Sequence, residues 1–146
     1  MSTDPTRERL IGTWKLVATV REDLSSGART EPFGQNPIGF ISYGADGRMI
    51  VINVRSDRKK PAGPSPTPAE KAALYDSMLA YAGTYAIKGD EIVHHVDASW
   101  NETYTGLDLV RVVRFDGNRV HLSTRPSPDP LDGAMSVRTI TWEKLG

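Results

Sequence analysis

The sequence contains no cysteine among its 146 residues. Disulfides, thiolate metal ligands and a cysteine nucleophile are therefore excluded. Long hydrophobic runs are also missing, because the first residues, MSTDPTRERLIGTW, hold no apolar stretch of the length of a signal peptide or membrane span. From these absences we expect a cytoplasmic protein that has no contact with a membrane.

The chain has no excess of charge of either sign. Eighteen Lys and Arg residues balance eighteen Asp and Glu residues, so no overall field attracts nucleic acid. Glycine-rich phosphate loops and a serine in a nucleophile-elbow context are absent as well. The three histidines do not form a cluster with carboxylates at metal-ligand spacing. We therefore expect no metal and no other cofactor.

Short runs of β-branched and aromatic residues, separated by tight-turn signals, fill most of the chain. Asp46-Gly47, Gly89-Asp90 and Asp116-Gly117-Asn118 each separate two such runs, which is typical of β-hairpins. A single domain over 1–146 that is built in this way is an antiparallel sandwich or a closed barrel. The predicted strands are 11–22, 37–43, 47–55, 83–88, 91–99, 107–115, 118–125 and 135–144.

Two segments have a helical pattern. Asp4-Pro5 is a helix-start signal and predicts one or two turns in an N-terminal tail over 1–10. In the second segment, 67–82, Thr67 and Glu70 form a capping box and apolar residues recur at helical spacing. This second helix stands between the third and fourth strands, in place of a hairpin turn. We therefore predict that it is a lid over one end of the barrel.

The adjacent pair His94-His95 in the fifth strand must point to opposite faces. His94 belongs to the more apolar alternating set and should face the interior, while His95 should face solvent. The same reasoning places Arg111 of the sixth strand inside, with no acidic residue expected beside it. Other polar residues expected inside are Tyr43, Asn53 and Tyr85.

The first strand opens with Gly12-Thr13-Trp14, which matches the glycine–any–tryptophan signature near the start of lipocalins. The chain resembles the small lipocalin-like domain family of bacteria and fungi along nearly its whole length from about residue 10. The resembling stretches are GTWKLVA, IGFISYGADGRMIV, YAGTY, VHHV, LVRVVRFDGNRVHLST and TITWE. The resemblance implies an all-β, eight-stranded antiparallel barrel with a cavity.

The resemblance also implies structural roles for four residues. Gly12 and Trp14 would form the closed end of the barrel. Arg138, which precedes Trp142 in the last strand, would cross the tryptophan ring in a cation–π contact. The chain lacks the disulfides of secreted lipocalins and has Phe115-Asp116-Gly117 in place of their threonine–aspartate–tyrosine turn.

An unpaired arginine in an apolar interior is costly unless an anion accompanies it. The first functional hypothesis is therefore the binding of a small, mostly apolar ligand that has an acidic or carbonyl end, which Arg111 would hold. The residues that we predict to bind this ligand are Tyr43, Met49, Asn53, Met78, Tyr85, His94, Trp100, Arg111 and Phe115.

Three alternatives stay open. In an enzyme, His94 would move a proton while Arg111 stabilises developing enolate charge, as in a cofactor-independent isomerase, cyclase or dehydratase that acts on a hydrophobic carbonyl compound. The inward polar residues would otherwise only satisfy one another's hydrogen bonds. Finally, Trp142 and surface apolar residues would form a homodimer face.

Overall fold

The computed structural model describes residues 5–129 and 132–146. Eight long strands form one antiparallel sheet that closes on itself, because the first long strand pairs with the last. The predicted eight-stranded barrel is therefore confirmed. In chain order the strands are β1 (Gly12–Asp23), β2 (Arg29–Thr30), β3 (Ile38–Tyr43), β4 (Arg48–Val54), β5 (Met78–Lys88), β6 (Glu91–Ser99), β7 (Asp108–Asp116), β8 (Arg119–Ser123), β9 (Ser127–Pro128) and β10 (Met135–Lys144).

The long strands follow one another around the barrel as a meander, in the order β1-β3-β4-β5-β6-β7-β8-β10. The two-residue strands β2 and β9 only extend the pairing of β1 and β10. Three hairpins turn at Gly47, Gly89 and Gly117, whose φ angles are 86°, 62° and 60°. Glycine adopts such positive values without the steric penalty of a Cβ atom, which is why the turn signals located these three hairpins correctly.

Helix α1 (Pro5–Leu10) agrees with the predicted N-terminal turns, while the expected start at Asp4 lies outside the described residues. Helix α2 (Pro68–Asp76) begins as predicted, because the Thr67 hydroxyl accepts from the Glu70 amide and the Glu70 carboxylate accepts from the Thr67 amide. The helix lies between β4 and β5, which are the third and fourth of the long strands.

The prediction that this helix continues to residue 82 is wrong. From Met78 onward the chain belongs to β5 and pairs with β4, with Met78 opposite Val54 and Ala82 opposite Ile50. Strand pairing overrides the local helical spacing because it gives the backbone a full ladder of hydrogen bonds and buries Tyr81. In α2 itself, all of which is described, no residue is buried.

Helix α1 closes one end of the barrel. Leu10 is 0% exposed, and the Trp14 indole, 2% exposed, donates from Nε1 to the Leu10 carbonyl at 2.8 Å. The Lys144 ammonium lies 4.7 Å from the centre of the Trp14 ring and donates to the Arg9 and Ile11 carbonyls. We refer to this region, where α1 packs on Trp14, as the closed end.

The cation over the closed-end tryptophan is therefore Lys144, and the expectation that Arg138 crosses this ring is wrong. The pairing of β1 with β10 explains the difference, because Lys144 lies directly opposite Trp14 whereas Arg138 lies opposite Arg21, seven residues further along β1. Gly12 is next to the lysine as well, since a Cβ atom there would come within 3.0 Å of Lys144 Cε.

The hydrophobic core occupies the interior of the barrel and surrounds a cavity. Trp142 is 2% exposed and belongs to this core, so it cannot form a surface for dimerisation as the sequence suggested. Large apolar side chains do remain exposed on the outer face of β3 and β4, where side chains alternate with the buried set. These exposed residues are Ile38, Phe40, Ile50 and Ile52.

Candidate functional site

The end of the barrel away from α1 holds a cavity of about 420 Å³. Apolar side chains form much of its wall, including Ile41, Val51, Leu79, Leu122 and Ile140. Polar side chains from several strands and from the segments after β8 interrupt this wall: Asn53, Tyr81, His94, Asp108, Arg111, Thr124, Arg125, Ser127, Asp129, Ser136 and Arg138. An apolar chamber with a few converging polar groups is typical of a small-molecule site.

Strand alternation brings the central histidine into this wall, as predicted. His94 is 2% exposed, while its neighbour His95 is exposed and forms a 2.8 Å contact from Nδ1 to the Asp108 carboxylate. The opposite directions of the two rings follow from the twofold repeat of a strand. The expectation that His94 faces inward and His95 outward is thus confirmed.

Two tyrosines hold the ring of His94. The Tyr43 hydroxyl lies 2.7 Å from Nε2, and the Tyr81 hydroxyl lies 2.7 Å from Nδ1. Both ring nitrogens are therefore engaged. Tyr81 and His94 line the cavity, whereas Tyr43 lies behind them and is not part of the wall.

Burial sets the protonation states of this triad. Burial and, to a smaller extent, the positive charge of Arg111 together lower the pKa of His94 to about 3. Burial also raises the pKa of Tyr81 to about 12 and that of Tyr43 well above its ordinary value. At neutral pH the imidazole and both phenols are consequently uncharged.

Arg111 lies in the cavity wall on β7, as alternation predicts. One of its guanidinium nitrogens, Nη1, donates to the Val110 carbonyl at 2.9 Å. In the part of the chain that the structure describes, no carboxylate lies within ion-pair distance of Arg111. The guanidinium therefore brings a positive charge to the wall without a neutralising partner in those residues.

A second arginine of the wall is neutralised. Asp129, whose side chain is 0% exposed, accepts from Arg138 Nε and Nη2, each at 2.9 Å, and from the Ser136 hydroxyl at 3.0 Å. Arg21 adds a contact of 3.3 Å from Nε to the same carboxylate. The expectation that no acidic residue lies inside is therefore wrong. Asp129 directly follows β9 in a proline-rich segment where alternation carries no information.

The structure separates the nine predicted ligand-binding residues into two groups. Asn53, His94 and Arg111 line the cavity. The expectation that the other six line the cavity is wrong. These residues are Tyr43, Met49, Met78, Tyr85, Trp100 and Phe115.

Position along the barrel axis explains why several of these residues lie away from the cavity. Met49 and Tyr85 are buried on the inner face but toward the closed end, where the Tyr85 hydroxyl donates to the Gly44 carbonyl at 2.7 Å. Phe115 packs under the guanidinium of Arg9, 3.9 Å from its ring centre. Alternation indicates which face a residue occupies but not its height in the barrel.

The alternation of β6 predicts that Trp100 points into the barrel, because it follows the inward-facing set that contains His94 and Val96 at the same spacing of two residues. The strand ends at Ser99, however, and the indole contacts Tyr75 of α2 at 5.9 Å between ring centres and donates to the Tyr75 carbonyl. Trp100 therefore connects α2 to the barrel. Helix α2 contributes no residue to the cavity wall, and its role as a lid over one end of the barrel stays a prediction.

Sequence reasoning missed Tyr81, which contacts His94 and lines the cavity. The residue was assigned to the helix, and the competing signal was the alternation of Leu79, Tyr81, Gly83 and Tyr85, which predicts a strand. Phe33, in the segment before β3, also lines the cavity and has no periodic signal that could have placed it there.

Within 5–129 and 132–146, no group of three or more histidine and carboxylate side chains is placed to bind a metal ion. The helices of the same ranges are all too short or too polar to cross a membrane.

A family model described as a lipocalin-like domain matches residues 11–145. The chain belongs to the lipocalin-like domain family. The matched range covers the barrel from β1 to β10 and thus every strand that contributes to the cavity. A comparison with curated proteins gives no match. Membership in the lipocalin-like family is consistent with small-ligand binding in general, so the chemistry of the ligand must be argued from the cavity of this barrel.

Proposed function

We propose that this lipocalin-like domain binds a small, mostly apolar molecule with an acidic or carbonyl end inside the barrel cavity. The observation that carries the proposal is the position of Arg111 in the wall without a carboxylate partner among the described residues. The guanidinium would hold the polar end of the ligand, while the apolar wall would surround its body.

The contrast between Arg111 and the other two arginines of the wall supports this role, since Arg125 pairs with Glu91 and Arg138 pairs with Asp129. Removing a charged group from water is unfavourable unless a counter-charge or hydrogen bonds replace the lost hydration. Arg138 obtains both from Asp129, whereas Arg111 uses one nitrogen on a neutral carbonyl. A ligand anion or carbonyl oxygen would supply what Arg111 lacks.

The size of the chamber agrees with a small ligand. Its volume of about 420 Å³ lies within the range of roughly 300–1,000 Å³ that is usual for small-molecule sites. Two wall residues also carry buried atoms without a hydrogen-bond partner among the described residues, namely Asn53 Oδ1 and Trp142 Nε1. A polar ligand atom or a water molecule that reached them would complete their hydrogen bonding.

The geometry favours binding over catalysis by an isomerase, cyclase or dehydratase. A general base needs a free nitrogen and a pKa near the working pH. Both nitrogens of His94 are engaged at 2.7 Å, and its pKa is lowered to about 3. Proton transfer through His94 would require one of these hydrogen bonds to break, which is the reason that we place catalysis second.

The proposal is tested with 8-anilinonaphthalene-1-sulfonate, an apolar anion whose fluorescence rises in apolar sites. We expect saturable binding to the wild type and at least about tenfold weaker binding to Arg111→Ala, since a charge-assisted hydrogen bond contributes about 1.5–3 kcal/mol. Arg48→Ala is the matched control, because this exposed arginine lies on the outer face of β4.

Equal affinity of both variants and the wild type would contradict the proposal. Native mass spectrometry before and after denaturation adds a test without a chosen probe, since a co-purified ligand would be released on unfolding. Turnover of a hydrophobic carbonyl compound that is lost in His94→Gln, while binding persists, would support the catalytic alternative instead.

A further inference from the structure

We infer that the hydrogen bonds of Tyr43, His94 and Tyr81 run in one direction, so that the Tyr81 hydroxyl donates into the cavity beside Arg111, and that the ligand end held there is a carboxylate. The inference rests on the proposed binding function and specifies the class of ligand.

A neutral imidazole has one N–H donor and one acceptor nitrogen. Because burial keeps His94 uncharged at neutral pH, one tyrosine must donate to the ring and the other must accept from it. The two arrangements differ in where the remaining hydroxyl proton is left. In one it belongs to Tyr43, and in the other it belongs to Tyr81.

The surroundings of the two tyrosines decide between these arrangements. Tyr43 lies behind the wall, and among the described residues His94 Nε2 is the hydrogen-bond partner of its hydroxyl. If Tyr43 accepted from Nε2, its own proton would be buried without an acceptor there, which is unfavourable. Tyr81 lines the cavity, where a ligand can accept its proton.

The favoured chain of donors therefore starts at Tyr43. Its hydroxyl donates to Nε2, the proton on Nδ1 donates to the Tyr81 oxygen, and the Tyr81 hydroxyl donates into the cavity. Tyr43 and His94 are positioning residues in this scheme, and Tyr81 contacts the ligand. Hydrogen bonds arranged head to tail in this way also polarise one another, which strengthens the terminal donor.

Arg111 adds donors of its own, because a guanidinium has five N–H groups and no acceptor. The acidic residues in the same wall are engaged elsewhere, since Asp129 accepts from Arg138 and Arg21, and Asp108 contacts His95. A group placed between Arg111 and Tyr81 consequently meets donors and a positive charge. A carboxylate fits best, because it only accepts hydrogen bonds and its charge balances the guanidinium.

Other end groups fit less well. An alcohol or amide brings a donor of its own to a place that already presents donors. A ketone accepts a hydrogen bond from Tyr81 but leaves the charge of Arg111 without a counter-ion. Affinity should therefore rank a carboxylate above a ketone and an alcohol of equal chain length.

The direction of the chain is tested without any ligand, by ¹⁵N NMR of histidine-labelled protein at pH 7. His94→Gln identifies the His94 signals among those of the three histidines. We expect a protonated Nδ1 and an unprotonated Nε2. Protonation at Nε2 alone, or at both nitrogens, would overturn the directional chain whatever the protein binds.

The ligand class is tested by calorimetry with octanoate, 2-octanone and 1-octanol. We expect octanoate to bind at least about tenfold tighter than either neutral compound, and we expect Tyr81→Phe and Arg111→Gln each to remove most of this preference. Equal binding of octanoate and 2-octanone, both tighter than 1-octanol, would overturn the carboxylate inference and leave the proposed function intact. Failure of all three to bind would count against both.

Tyr43→Phe tests the coupling through the histidine, with Tyr85→Phe as its matched control. Each variant removes one buried tyrosine hydroxyl, but the Tyr85 hydroxyl bonds to the Gly44 carbonyl and not to His94. We expect several-fold weaker octanoate binding and an altered His94 tautomer in Tyr43→Phe only. An unchanged tautomer and affinity in this variant would overturn the positioning role.

Discussion

The two ends of the barrel use similar residues for different purposes. At the closed end, the cation of Lys144 has the Trp14 ring beneath it and two backbone carbonyls as acceptors. At the cavity end, Arg111 has one carbonyl in the described part of the chain and an open chamber in front of it. The cation of the closed end thus has its partners within the protein, whereas Arg111 has a single neutral carbonyl among the described residues.

A buried or half-buried cation points to ligand binding only when the protein itself supplies too few acceptors for it. A cation whose acceptors all come from the protein has a structural role. Arg138 and Arg111 both line the cavity. Arg138 donates two hydrogen bonds to the carboxylate of Asp129, whereas Arg111 has no contact with this carboxylate. We therefore expect substitutions at the closed end to reduce stability, and substitutions around Arg111 to reduce binding with little effect on folding.

The largest expected effect is that of Trp14→Ala. Truncation of a buried tryptophan leaves a cavity and removes the contacts of α1, and we expect the free energy of unfolding to fall by about 4 kcal/mol. Urea denaturation measures this loss. Trp100→Ala, outside the core, should cost clearly less. Similar losses in the two variants would contradict the special role of the closed end.

Asp129→Asn should cause the second-largest loss in the free energy of unfolding. Removal of this buried carboxylate charge leaves Arg138 and Arg21 without their shared partner, and we expect a loss of about 3 kcal/mol in the free energy of unfolding. The matched control is Asp57→Asn, which breaks the ion pair of Asp57 with Arg55 at an exposed site. Urea denaturation should show little change in the control. Unaltered stability in Asp129→Asn would show that the carboxylate does not hold the cavity end together.

The pH dependence of the free energy of unfolding should show that His94 is uncharged in the folded protein. The folded-state pKa of His94 is about 3, below its ordinary value of 6.5, so below pH 6.5 the unfolded chain binds a proton that the folded protein does not. Stability is therefore lost as pH falls from about 6.5 toward 3, by at most about 1.4 kcal/mol per pH unit.

Denaturation of the wild type and His94→Gln at pH 7, 6 and 5 checks this prediction. The variant lacks the titrating ring, so its stability should fall less steeply over the same interval, whatever its stability at pH 7. Parallel curves for the two proteins would mean that His94 is protonated as easily in the folded barrel as in the unfolded chain.

The smallest expected effect is that of Ile50→Lys on the outer face of β4. Ile50 is 58% exposed, so the free energy of unfolding should change by no more than about 0.5 kcal/mol and ligand binding should be unaffected. The same variant tests the homodimer prediction through the exposed apolar face of β3 and β4. A dimer of the wild type that becomes a monomer in the variant, measured by light scattering, would support the homodimer, and a monomeric wild type would contradict it.

Local sequence signals determined the hairpin turns, the start of α2 and the position of most strands. Asp-Gly and Gly-Asp pairs encode turns through the backbone freedom of glycine, and Thr67 with Glu70 encodes a helix start through two hydrogen bonds. Alternation also placed His94 and Arg111 on the inner face, because successive side chains of a strand point to opposite faces of the sheet.

The tertiary structure alone decided which inner residues meet at the cavity. The closure of β1 on β10 brings Lys144, rather than Arg138, over Trp14, and pairing with β4 converts the end of the predicted helix into the strand that carries Tyr81. Asp129 reaches Arg138 from a segment without periodicity. Height along the barrel axis and contacts across the sheet depend on strand register, which couples residues far apart in sequence and is therefore not encoded in any local pattern.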